Sequence, residues 1–325
     1  MHRLNLALCL SVLALAAACD HAATKPQPAP AANPAPPAQS YAPATTPLMI
    51  LDSALPVAFT GQAYSHQMTA IGGTGTYYWT VSGAGSGLVN LSSSGVLTAP
   101  GIPSHSLGTG LTFRVQDSVG RVVYRSINFH ANYTYNHPNP GVRGRVLVLH
   151  HGESMSYRNA GQTDSRFQRA VQHLMQDVAD LIWDPVETNL CEQFVLVTAG
   201  NGAAARESAG VRTAQVSDKA AVINVLAALA PGGDAPMYAA MQLAETAAGA
   251  FTACDVLALY SGGSFGADAA AAGGQANFSN VLAHAGGWAG NVSVTWALDF
   301  APAGTHRQFM QDFAALTWGG LYAAP

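Results

Sequence analysis

Residues 145–151, RVLVLHH, place the tightest constraint on this chain, because Val146, Leu147, Val148 and Leu149 are apolar without alternation. Successive side chains of a strand point to opposite faces, so such a run is stable only where both faces are covered. That is the situation of a central strand in a parallel sheet flanked by helices. The following sequence agrees. Phe167, Ala170, Val171, Leu174, Val178 and Leu181 recur at helical spacing, and 218–229, 236–248 and 306–316 also read as helices. EQFVLVTAG (192–200), DVLALYSGG (255–263) and VSVTWALDF (292–300) read as further strands. Strand and helix alternate, which predicts a doubly wound α/β sheet over 143–325. The ligand face of such a sheet lies at the carboxyl ends of its strands, where HHGES (150–154) follows.

Upstream the periodicity is different. Between 48 and 132, short alternating runs such as YYWTV and LTFRVQD are separated every 8 to 15 residues by turn sequences such as GGTGT, SGAGSG and DSVG. This predicts an antiparallel β-sandwich with Trp79 as its core plug, and Asp117 as a turn-capping residue rather than a calcium ligand. A Pro- and Asn-rich linker at 133–142 separates it from the α/β segment. The pieces at 54–83, 91–101 and 113–121 resemble the immunoglobulin-fold, cadherin-like repeats of bacterial surface proteins. That resemblance implies a seven-strand spacer or binding element without catalysis.

The chain opens with Arg3, a short apolar run and small residues leading to Cys19, the pattern of a secretory signal peptide at 1–18. LALAAAC (13–19) resembles a bacterial lipoprotein signal, although Ala16 stands where that family prefers Leu. The resemblance implies lipidation, including palmitate, at Cys19. The Pro- and Ala-rich linker at 19–47 then reads as an extended tether. The expected location is the bacterial cell envelope, lipid-anchored and facing the periplasm or exterior. No later apolar run is long enough to span a bilayer, so the membrane is reached through the anchor alone. With 10% charged residues and a net charge of −4, the chain lacks the basic footprint of a nucleic-acid binder.

The segment 143–325 resembles von Willebrand factor A domains in the order of its parts. VLVLHHGESM corresponds to their first strand and D-x-S-x-S-M loop. SDKAAVINVLAALAPGGDAPM (217–237) corresponds to a helix and a G-G-x-T-P turn. DVLALYSGG corresponds to a strand ending in T-D-G, and FMQDFAALTWGGLYAAP to the closing helix and T-G-G-x-Y. In that family these loops hold a divalent cation. Here His150 replaces the first Asp, Gly152 the first Ser, Ala235 the Thr and Ser261 the Asp, while Ser154 keeps its hydroxyl. One hydroxyl does not offset the dehydration of Mg²⁺, so neither a metal nor another cofactor is expected. His150 and His151 are adjacent on a strand and should diverge, which speaks against a substitute zinc or nickel site with Glu153 and Asp234.

The expected role is therefore non-enzymatic adhesion or protein interaction. The partner is a protein in the envelope or on another cell, contacted through His150, His151, Glu153, Ser154, Asp234 and Ser261. Cys191 and Cys254 are the cysteines outside the signal, and an oxidising compartment favours their pairing. The family topology puts their strands on either side of the central one with both cysteines near the same bottom edge of the sheet, which implies a disulfide if the lead-in at Cys191 bends inward. Trp296 and Trp318 read as packing residues, as do Met175, Met237, Met241 and Met310. The alternative is a periplasmic serine hydrolase: GGSFG (262–266) matches G-x-S-x-G, and Ser264, Asp299 and His306 follow in triad order. Only about 60 residues follow Ser264, with one clear strand among them.

Overall fold

A computed structural model describes residues 45–132, 141–184, 190–207, 210–251, 253–263, 265, 278–288, 292–302 and 304–323. Cys19, the signal segment, Ser264 and most of the 133–142 linker lie outside the described residues. The first strands are β1 Met49–Ile50, β2 Ser65–Gln67, β3 Ala70–Ile71, β4 Tyr78–Ser82, β5 Asn90–Leu91, β6 Val96–Thr98, β7 Leu107–Gln116 and β8 Val122–Ala131. They pair antiparallel as β1–β3, β2–β6–β5 and β4–β7–β8. Alternate residues of β7, Leu111, Phe113 and Val115, are fully buried with Trp79 and Phe129. Asp117 caps the β7–β8 turn: Oδ1 accepts from the Val119 and Arg121 amides, and Oδ2 from the Thr74 amide and the Arg121 guanidinium.

The remaining elements are β9 Gly141–His150, α1 Arg166–Asp180, β10 Trp183–Asp184, β11 Leu190–Gly200, β12 Ala203–Arg206, β13 Arg212–Thr213, α2 Val216–Ala228, α3 Met237–Ala248, β14 Cys254–Ser261, α4 Phe278–Trp288, β15 Val292–Asp299, α5 Thr305–Ala314 and β16 Gly320–Ala323. Their sheet runs β10-β11-β9-β14-β15-β16, with β12 and β13 also pairing with β11. The pairs β11–β9, β9–β14, β14–β15 and β15–β16 are parallel. On β9, Leu147 and Leu149 enter a core with α1 and α2, while Val146 and Val148 enter the opposite core with α3, α4 and α5. Helix α4 contains Gly286 and Gly287, and its burial of Val281, Ala285 and Trp288 along one face holds it in place.

Two expectations are overturned here. Cys191 opposes Val142 and Cys254 opposes Gly144, on opposite sides of β9. Two strand spacings of about 4.8 Å exceed the reach of a disulfide, about 7 Å, and both cysteines are buried free thiols. Trp296 and Trp318 do not pack inside: they are 45% and 94% exposed. The helices following β14 and β15 both cover the opposite face, leaving Trp296 uncovered. The four methionines are buried, as expected.

Strand β1 serves two cores through its alternation. Leu48 and Ile50 pack with Trp79 and Phe113, whereas Met49 and Leu51 pack with Leu174 and Val178 of α1. Lys219 of α2 is fully buried and donates to the carbonyls of Leu51 (3.1 Å), Ala179 (2.9 Å) and Leu181 (2.5 Å). Arg125 of β8 donates to Ile50 O and Ala179 O, both at 2.9 Å. The orphan carbonyls ending α1 thus meet two cations, as the helix dipole favours.

Burial, reinforced by the Arg125 charge, pulls the Lys219 ammonium down to about 7. Between that pH and the ordinary lysine value of about 10.4, the unfolded chain holds a proton that the folded chain has shed. The contribution of Lys219 to stability therefore rises with pH across this window, by at most about 1.4 kcal/mol per pH unit. Urea denaturation of wild type and Lys219→Met between pH 7 and 9 should show the wild type gaining on the variant; a constant difference refutes the assignment.

Candidate functional site

The carboxyl ends of β9, β14 and β15 bring His150, Ser261 and Asp299 together, and the first turn of α5 adds His306 and Arg307. His150 Nδ1 lies 2.8 Å from Ser261 Oγ, which lies 3.0 Å from His306 Nε2. His306 Nδ1 is 3.0 Å from Asp299 Oδ1, which also accepts the Ala301 amide at 2.9 Å. Arg307 Nε donates to Asp299 Oδ2, and its Nη2 to Ala301 O at 3.0 Å. His150, Ser261, Asp299 and His306 are all buried.

Charge assigns the protons along this chain. Burial opposes ionisation of Asp299, but the hydrogen bonds from His306, the Ala301 amide and Arg307 outweigh it and hold the carboxyl below its usual range. A carboxylate only accepts, so His306 donates through Nδ1. With His306 Nδ1 as the donor to Asp299, the ring's Nε2 is the atom that meets the Ser261 hydroxyl, which in turn meets His150 Nδ1. Among the described residues His150 Nε2 is buried with no hydrogen-bond partner. Burial, then the His306 and His151 charges, push the His150 imidazole down to about 3, so this ring stays neutral.

Aromatic rings seal the network. Phe265 meets His150 edge-on at 5.4 Å and packs at 5.0 Å on Phe278, which stacks at 5.0 Å on Phe309 and lies 5.7 Å from His306. Above it a shallow cleft of about 140 Å³ is lined by Glu153, Ser154, Tyr157, Gly233, Asp234, Ala235 and Phe265. The loop beneath is tied down by Arg166, which donates to Gly262 O (2.7 Å) and Asn159 Oδ1 (2.9 Å). Ser165 caps α1 reciprocally with Gln168. Gly263 has no room for a side chain, because an added Cβ would collide with Ser154 Oγ.

Of the residues expected to meet a partner, Glu153, Ser154 and Asp234 line the cleft, but His150, His151 and Ser261 do not reach the surface. β9 and β14 run deep enough that these side chains finish inside. His151 turns away from His150, its Nδ1 3.1 Å from Ala230 O. Among the described residues no group of three or more His, Cys, Asp or Glu is placed to hold a metal ion. Sequence reasoning misses Arg307, Phe265 and Tyr157 at this site. It pairs Asp299 and His306 with Ser264, whereas the serine bonded to His306 is Ser261.

No family model matches the sequence, and no curated protein matches it. Among solved structures, the chain is similar to a mutant of the PilB minor pilin from Streptococcus sanguinis, at 9% identity and a TM-score of 0.38, covering 79% of this chain and 77% of that one. It is similar to a von Willebrand factor type A protein from Catenulispora acidiphila at 13% identity and a TM-score of 0.38, covering 77% of this chain and 46% of that one. A third similarity is to the pilus adhesin SpaC from Lactobacillus rhamnosus GG, at 14% identity and a TM-score of 0.39, covering 67% of this chain and 30% of that one.

The His150 environment generates an acid-stability signature. Between the ordinary histidine value of about 6.5 and about 3, the unfolded chain takes a proton that folded His150 refuses. Stability therefore falls as pH drops through this window, by at most about 1.4 kcal/mol per unit from this group. His150→Asn keeps a donor near the Nδ1 position and removes the titration. Chemical denaturation from pH 6.5 to 4.5 should show a shallower loss in the variant; equal slopes would refute a neutral buried His150.

Proposed function

We propose that this protein is a non-enzymatic, adhesion-type binding module of the bacterial cell envelope. In this reading an Ig-like sandwich (48–132) supports an A-type α/β domain (143–325), and Cys19 with the 19–47 tether anchors both. The A-type domain engages a protein partner without a divalent cation. The observation that supports this is the buried chain from His150 through Ser261, His306 and Asp299 to Arg307. A bound cation would neutralise carboxylates and draw the strand-end loops together; here the one carboxylate in the chain, Asp299, is neutralised internally by Arg307. The polar cleft above supplies the contact surface. Tyr157, 42% exposed beside Glu153 and Asp234, offers the aromatic anchor typical of interface hot spots.

Titration calorimetry with Mg²⁺, Mn²⁺ and Ca²⁺ should show no micromolar binding, and partner capture from envelope extract should survive EDTA and weaken at least tenfold in Tyr157→Ala. Capture abolished by EDTA would overturn the cation-independent mode.

A second reading rests on the order Ser261–His306–Asp299, which reproduces the connectivity of an acyl-transfer triad. A nucleophile must touch its substrate, whereas Ser261 is 0% exposed and lies within hydrogen-bond reach of two imidazoles. A fluorophosphonate probe should therefore leave the protein unlabelled. Labelling that disappears in Ser261→Ala would establish the hydrolase instead.

A further inference from the structure

A separate pocket of about 290 Å³ lies between α1 and the open half of the sheet. Its lining follows from two periodicities: Val256, Ala258 and Tyr260 on β14, with Trp296 and Leu298 on β15, project from one face at alternate positions, while His173 and Asp177 stand one turn apart on α1. Tyr322 of β16 closes the side, its ring 5.1 Å from that of His173. Trp296 lies opposite Gly320, whose bare Cα lets the indole settle on β16: an added Cβ would come within 3.0 Å of the ring.

The polar groups in this pocket are unequal. Arg145 is engaged through Nε and Nη2 with the buried carboxylate of Glu192, so that pair is neutral. Asp177 has a single hydrogen-bond partner among the described residues, the buried Tyr260 hydroxyl, which donates to Oδ2 at 2.5 Å. No cation pairs with it among the described residues. Burial, with a smaller push from the Asp180 charge, raises the Asp177 carboxyl, outweighing the Tyr260 hydrogen bond and the more distant His173 and Arg145 charges. A half-buried carboxylate in a pocket that two aromatic rings also line is complementary to an organic cation, which gains both ion pairing and cation–π attraction. The volume is at the low end for ligand pockets, about 300 Å³, so the cation is small.

We infer that this pocket binds an alkylammonium group, with Asp177 as counter-ion and Trp296 and Tyr322 as walls. The site is distinct from the cleft at the strand ends and independent of the function proposed for that cleft. The test is a titration of the ¹⁵N-labelled full chain, followed by heteronuclear NMR at the Trp296 indole and the β15–β16 amides. The probes are Nα-acetyl-lysine methylamide, standing for a lysine side chain of a polypeptide, and cadaverine, standing for a free amine; the tighter one identifies the source. Expected are saturable shifts confined to the pocket, weakened at least tenfold in Asp177→Asn and about threefold to tenfold in Trp296→Ala, and unchanged in Trp318→Ala. Trp296→Ala removes a half-exposed side chain and keeps the test decisive should Asp177→Asn fail to fold. Absence of saturable shifts with both probes, or affinity retained in Asp177→Asn and Trp296→Ala, would overturn the inference.

Discussion

Burial of β9 on both faces is the constraint on which the rest of the molecule depends. Val146 and Val148 require helices on one side, and Leu147 and Leu149 require them on the other. Parallel neighbours then follow, because each connection must cross a sheet face before the chain returns. With β11 and β14 as its partners, the end of β9 lands between two other strand ends. His150 is thereby delivered to Ser261.

That delivery has an electrostatic consequence. A carboxylate buried at Asp299 is tolerable only with full compensation, and Arg307, His306 and the Ala301 amide supply it. The compensation locks three strand-end loops to α5 through groups the chain itself provides. Phe265, Phe278 and Phe309 then exclude water, which strengthens every hydrogen bond beneath them and keeps His150 neutral. The same closure that stabilises the network removes Ser261 from the surface, so a triad-like connectivity lies buried beneath a polar cleft lined by Glu153, Ser154, Tyr157 and Asp234.

The β-rich and α/β parts share more than a chain connection. Because β1 alternates, its two faces enter different cores, and its backbone carbonyls meet Lys219 and Arg125 at the end of α1. An ammonium buried among three carbonyls holds one short strand against two helices at an appreciable desolvation cost. On the other side of α1, the same helix leaves Asp177 facing a pocket over the half of the sheet that α4 and α5 leave open, since both pack on the opposite face.

By itself the sequence determined the elements whose signal is local. The unbroken apolar run of β9, the helical spacing of Phe167, Val171, Leu174 and Val178 in α1, and the turn chemistry around Asp117 all survive in the structure, because strand alternation and helix periodicity act over a few residues. Glu153, Ser154 and Asp234 were singled out through the resemblance of their loops to those of von Willebrand factor A domains, and they line one cleft. Only the tertiary structure decided which serine meets His306, since Ser261 and Ser264 differ by three residues and the choice depends on how far β14 extends before turning. It decided that Cys191 and Cys254, on the two strands flanking β9, stay apart as free thiols, because neither lead-in bends across the strand between them. It decided that Trp296 faces an open pocket, because an amphipathic helix does not state in its own sequence which face of a sheet it will cover. It also brought Lys219 to Leu51, 168 residues away, where the two partners carry no common local pattern.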